Sequence, residues 1–139
     1  MNNFLALMCL LLLSSRVFSG DILVVVNKNN STDSLSKSQV VDIFLGRYVA
    51  FPSGNSAEPL DIADTELKGD FYQRLTRLNL ARVNAYWSRI KFSGKAVKPL
   101  QLASEETAIE FVAAEKLAIS YIDAESLTEQ LKVVYTIDE

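Results

Sequence analysis

The sequence has 139 residues, 49% of them hydrophobic, with a formal net charge of −3, one cysteine and no histidine. That length supplies one domain with a real core, and its mild acidity argues against nucleic-acid binding. Without histidine the chain lacks the usual general base, the commonest zinc ligand and the Ser-His and Cys-His nucleophile systems. No carboxylate pair stands out from ordinary surface charge, so the composition points away from an enzyme, and neither a metal nor a cofactor is expected.

Residues 4–13 form an apolar run too short to span a bilayer, which takes about 20 residues. Ser14, Ser15 and Arg16 follow, then Val17 and Ser19 at the spacing a signal peptidase accepts. This predicts a signal peptide over 1–19 and a single domain over 20–139; the alternative is an uncleaved anchor or a buried N-terminal helix. Cys9 falls within the leader, so the mature chain has no thiol or disulfide. A secreted chain of this size without disulfides points to the bacterial periplasm. Later apolar runs are too short to cross a membrane, so no membrane insertion is expected after cleavage.

Residues 22–26 (ILVVV) read as a strand buried on both faces, the pattern of a parallel sheet under helices. A polar loop, 27–32, follows. Ser36 and Gln39 form a capping box, and Leu35 and Val40 are placed as its hydrophobic staple. Val40, Ile43 and Phe44 then share one helix face, and Gly46 is suited to the left-handed turn that ends it. A loop over 47–58 contains Pro52, Ser53 and Gly54 as turn residues.

Residues 59–63 read as a short strand opening on Pro59. Asp64 or Thr65 caps a second helix with Leu67, Phe71, Leu75 and Leu78 on one side, and Gly69 within it signals either close packing or nothing. A third helix spans about 80–91, with Leu80, Val83, Trp87 and Ile90 inward, and ends at 92–94. Residues 95–102 are extended, with Pro99 as a breaker. Ser104 caps a fourth helix to about 116, with Ile109 and Val112 inward. Strands over 118–122 and 131–137 close the chain. The order β, α, β, α, α, α, β, β predicts an α/β domain, a mixed sheet flanked by helices on both faces.

Several segments together resemble one lobe of the phosphate-type periplasmic solute-binding proteins of ABC transporters, a type II periplasmic binding protein fold, and its short single-lobe relatives. "ILVVVNKNN" resembles the first strand and loop. "LSKSQVVDIFLGRYVAFPSG" resembles the helix and a Gly-basic-x-x-Trp-x-x-Gly turn, with Phe51 where Trp is common. "DTELKGDFY" resembles the segment in which a Ser or Thr, a basic residue and a Phe open a helix. "YWSRIKFSG" matches the short relatives, and "LAISYID" stands where the family has Gly-Ala-Ile-Gly-Tyr-Val. The match covers nearly all of 22–135. It implies that the turn after the first helix folds back over the sheet, with Arg47, Tyr48 and Phe51 packed across the domain.

The resemblance also implies a ligand, inorganic phosphate or a related oxyanion, held where full-length relatives carry Ser-Gly-Thr-Arg. Thr65 matches the hydroxyl position and Lys68 the basic one. A helix N-terminus offers free N–H groups and the positive end of a dipole. Ser31, with Asn27, Asn29 and Asn30, either adds hydrogen-bonding groups for a ligand at a strand end or forms a plain polar turn. The plainer alternative makes Thr65 or Asp64 an ordinary N-cap, with Asp64 and Glu66 complementing the dipole and Lys68 solvated. The stretch Arg89, Lys91, Lys95 and Lys98 is either a docking patch or a solvated surface, and Tyr86 and Arg89 are better surface candidates than Trp87.

The reading is a secreted, non-catalytic solute-binding-like protein linked to an ABC transporter. Its alternative is a periplasmic protein-interaction module of the same fold, with a decayed ligand site and an envelope protein as partner.

Overall fold

The computed structural model describes residues 20–91 and 96–138, without the side chains of Thr65 and Lys91. The expected leader, the helix end at 92–94 and Lys95 lie outside the described residues. Five strands form one sheet: β1 (Ile22–Asn27), β2 (Glu58–Ile62), β3 (Leu100–Leu102), β4 (Ala118–Asp123) and β5 (Leu131–Ile137). Among the described residues four α-helices accompany them: α1 (Lys37–Phe44), α2 (Thr65–Thr76), α3 (Leu80–Lys91) and α4 (Glu105–Ala114). The strand order is β3-β2-β4-β1-β5. β2 runs parallel to β3 and β4, whereas β1 is antiparallel to both of its neighbours. The sheet is mixed, as expected.

Two differences from the sequence reading have simple causes. β1 is buried on both faces, but not because its neighbours are parallel. Ile22, Val24 and Val26 pack toward α1, α2 and α3, while Leu23 and Val25 pack toward α4. Helices on both sides impose two-sided burial whatever the strand direction. Residues 100–102, expected only as extended chain, form β3 by pairing Leu60, Asp61 and Ile62 with Leu100, Gln101 and Leu102. A three-residue edge strand, half exposed, has almost no pattern of its own.

The first helix starts as its residues dictate. Ser36 N–H donates to Gln39 Oε1 (2.8 Å), and Gln39 N–H donates to Ser36 Oγ (3.1 Å). Leu35 and Val40 are both buried beside this box. After α1 the chain reverses at Gly46, which has φ +69°, and the Arg47 and Tyr48 amides both donate to Asp42 O. A Cβ on Gly46 would lie 2.9 Å from Trp87 Cη2 and 3.0 Å from the Val97 carbonyl oxygen. Gly46 therefore seats α3 against the end of α1. Of the three residues expected to fold over the domain, only Phe51 is buried. Arg47 and Tyr48 are exposed, because the turn that Gly46 opens carries them outward before the chain returns at Phe51.

Gly69, in the middle of α2, has φ in the ordinary range, and a Cβ there would meet only Leu80 Cδ1 and Cγ at 3.7 Å. The two glycines should respond in opposite ways. Gly46→Ala is expected to lower unfolding stability by more than about 1 kcal/mol, and Gly69→Ala to raise it by up to about 1 kcal/mol, both read from urea denaturation midpoints.

Candidate functional site

In open α/β sheets, ligands sit outside the carboxyl ends of the strands. Here β2 and β4 end together at Ile62 and Asp123, and α2 and α4 begin beside them. Between these elements lies an open bowl of about 220 Å³, lined by Asp64, Glu66, Leu67, Asp70, Glu105 and Asp123. Five of these six residues are acidic. None of the five has a cationic partner among the described residues, and no metal-binding cluster forms there.

The amides that open α2 are already engaged. Asp64 is the N-cap, and its Oδ1 accepts from the N–H groups of Glu66 (3.0 Å) and Leu67 (3.4 Å). A carboxylate of the chain itself thus sits where the helix dipole would favour an external anion. Likewise Ser104 caps α4, accepting from Thr107 N–H at 3.2 Å. Glu105 accepts from Asp123 N–H at 2.9 Å and from the Ser126 hydroxyl, tying α4 to the end of β4.

The penultimate residue of β2 is a buried carboxylate. Strand alternation places Asp61 on the same face as Pro59, whose register partner is Ile119, so two residues on Asp61 meets Tyr121. Asp61 is 2% exposed. Its Oδ2 accepts from the Tyr72 hydroxyl (3.0 Å) and lies 3.4 Å from Lys68 Nζ. Its Oδ1 accepts from the Tyr121 hydroxyl and from Ile62 N–H (3.2 Å). The Tyr121 oxygen in turn accepts from Ile62 N–H at 3.1 Å. Phe71 stacks on Tyr121 with centroids 3.9 Å apart and meets Phe44 edge-on at 4.9 Å, sealing the group from water. Burial, then the Asp61 charge and its hydrogen bond, push both phenols well above their ordinary value. They remain hydrogen-bond donors throughout the neutral range.

The expected ligand residues do not converge. Lys68 does point toward the C-terminal end of β2, but its ammonium is engaged by Asp61 and by Gln101 Oε1 at 3.3 Å. Thr65 opens α2; its side chain lies outside the described residues. Ser31 is exposed beyond the end of β1, which is antiparallel to β4, so it lies at the opposite end of the sheet from α2's start. Its neighbours there serve the fold. Asn27 Nδ2 donates to the carbonyls of Val112 and Ala113, and Asn30 Nδ2 donates to Lys116 O, satisfying the C-terminal end of α4. Trp87 is in the core as expected, and Tyr86 donates to Leu45 O at 2.6 Å.

The sequence reading missed Asp61, Tyr72 and Tyr121. The one signal was a charged residue inside a short apolar strand, which a solvent-facing position would equally explain.

No family model matches this chain, and no curated protein matches it by sequence. Solved structures do match. One, from Clostridium perfringens, is assigned as a phosphate ABC transporter substrate-binding protein and has bound phosphate; it superposes with a TM-score of 0.66 at 16% identity, over 84% of this chain and 45% of that one. An ABC-type phosphate transport receptor from Vibrio cholerae gives 0.62 at 16% identity, over 84% and 47%. A possible phosphate binding protein from Planctomyces limnophilus gives 0.57 at 14%, over 84% and 42%. The fold is that of one lobe of a phosphate-type substrate-binding protein. The chain spans about half the length of these proteins. Among the described residues, no helix is long and apolar enough to cross a membrane.

Asp61→Ala leaves two buried phenols and Lys68 without their acceptor and is expected to cost about 3–5 kcal/mol; Tyr121→Phe should cost about 1–3 kcal/mol. In the unfolded chain the phenols ionise near about 10. The native phenols hold their protons well above that, so above about pH 10 the unfolded state binds fewer protons and stability falls as pH rises. Denaturant titrations across pH 7–11 should show a plateau and then this decline, flattened by combining Tyr72→Phe with Tyr121→Phe.

Proposed function

We propose that this chain is a secreted, non-catalytic protein-interaction module built on one lobe of the phosphate-type binding-protein fold. The observation that carries this reading is the Asp64 carboxylate on the first amides of α2. The helix end that would hold an oxyanion is already satisfied by the chain's own acid. Two further features support it: Lys68 is paired with Asp61, and the bowl is lined by five carboxylates, whose field repels phosphate. Without a bound solute, an α/β lobe acts through its surfaces, and the envelope protein partner of the sequence reading is the natural counterpart.

A second reading keeps phosphate or a related oxyanion as the ligand, on Thr65 and Lys68, within an ABC transport system. Its specific support is the phosphate in the Clostridium perfringens structure. On this reading Ser31 belongs to a separate surface.

Calorimetric titration separates the two. The module gives no saturable heat at millimolar phosphate, and Lys68→Ala titrates identically. A saturable heat that Lys68→Ala abolishes would overturn the module and establish the oxyanion reading.

A further inference from the structure

The surface of α3 differs in sign from the rest of this acidic chain. Residues 80–91 contain Arg82, Arg89 and Lys91 and no carboxylate. Arg82 and Arg89 are exposed and stand seven residues apart, about 10 Å along the axis. Neither has an ion-pair partner among the described residues. Beside them the helix crest is small and exposed: Ala81, Ala85 and Ser88.

A depression flanks each side of this crest. One, about 520 Å³, is lined by Leu78, Arg82, Ala85, Tyr86 and Arg89. The other, about 470 Å³, includes Asn84, Trp87, Ile90 and Lys98 in its wall. A low crest between two grooves with apolar floors and cationic rims suits the acidic rim of a concave protein surface. The aromatic and aliphatic walls supply burial, and the two guanidiniums supply forked donors for carboxylates.

The same chain carries such a rim, on the α2 side of its bowl. Asp64, Glu66 and Asp70 run along the first turns of α2, about 9 Å from first to last along the axis. That span is close to the separation of Arg82 and Arg89. Among the described residues these carboxylates have no ion-pair partner: Lys68 is held by Asp61, and Arg74 donates to the Gly20 carbonyl. Two copies of a chain with net charge −3 repel each other at long range. Seating the acidic rim of one on the α3 face of the other brings unpaired opposite charges together.

We infer that the α3 face docks a second copy of this chain through the acidic rim of its α2. The contact joins two different patches, so it is heterologous and either closes by rotation or continues head to tail. This deepens the proposed reading, on which it rests, by naming one partner of the module.

Sedimentation velocity tests it on the secreted chain. In about 20 mM salt, with protein raised to on the order of 1 mM, the sedimenting mass should rise above the monomer. About 500 mM salt, where the screening length falls well below 10 Å, should return it to the monomer. Arg82→Glu with Arg89→Glu, and separately Glu66→Lys with Asp70→Lys, should each weaken association about tenfold or more. Mixing these two variants should restore it, since each then carries one intact and one inverted patch. Arg82→Gln with Arg89→Gln provides the milder change if a reversal disturbs the fold by circular dichroism.

A chain monomeric throughout the series overturns the inference. So does association that ignores both reversals, or a mixture that fails to recover. A monomer that binds an oligoglutamate peptide through Arg82 also overturns it and assigns the groove to an acidic segment of another protein. Self-association fails separately from the proposed reading: a monomer without phosphate heat leaves the module standing, whereas phosphate heat from an associating chain does the reverse.

Discussion

One buried carboxylate organises this lobe. Asp61 lies inside the α1–α3 layer, out of water, where an isolated charge would be prohibitively costly. It is tolerated because Tyr72, Tyr121, the Ile62 amide and Lys68 all direct hydrogen atoms at it. Those groups come from α2, from β4 and from the end of β2 itself, so satisfying Asp61 fixes the angle at which α2 leaves the sheet. The aromatic rings around it then have a defined place: Phe71 can stack on Tyr121 only when α2 lies where Lys68 and Tyr72 reach the carboxylate.

The surface chemistry follows from that arrangement. Asp61 holds Lys68 on one side of α2, whereas Glu66 and Asp70, two positions away on either side of it, face the bowl. The rim of the bowl is left uncompensated and acidic, while Asp64 occupies the amides that make a helix start attractive to anions. The fold matches one lobe of phosphate-type binding proteins, and the end of the sheet where α2 and α4 begin is acidic. Positive charge instead collects on α3, whose orientation depends on the contact between Gly46 and Trp87.

Sequence legibility divides by the range of the interactions. The capping box at Ser36, the staple of Leu35 and Val40, the amphipathic course of α2 and α3 and the mixed α/β architecture were readable because each depends on residues a few positions apart. Ser104 as the α4 cap was readable for the same reason. Asp61 was not, because two of its four partners, Tyr72 and Tyr121, are 11 and 60 positions away. Nothing in "PLDI" distinguishes a carboxylate turned to water from one turned to two phenols. Ser31 and Lys68 looked compatible as ligands because strand direction is invisible in a run of valines; the antiparallel setting of β1 places them at opposite ends. The edge strand β3 escaped notice since its partner, not its composition, makes it a strand. The outward course of Arg47 and Tyr48 depends on how far the Gly46 reversal swings the chain.

The position of β1 also bears on how the molecule assembles. Its two neighbours are β4 and β5, so Ile22 meets Asp123 on one side and Ile137 on the other. β1 pairs with neither β2 nor β3 and must wait for β4 and β5 before a ladder bond can form on it. Closure of so long a loop is entropically costly and slows folding. Helices α1 to α4 can flicker into shape on the nascent chain, but the sheet that they cover is completed last. Until then five consecutive apolar residues stand open, the segment most in need of protection from aggregation.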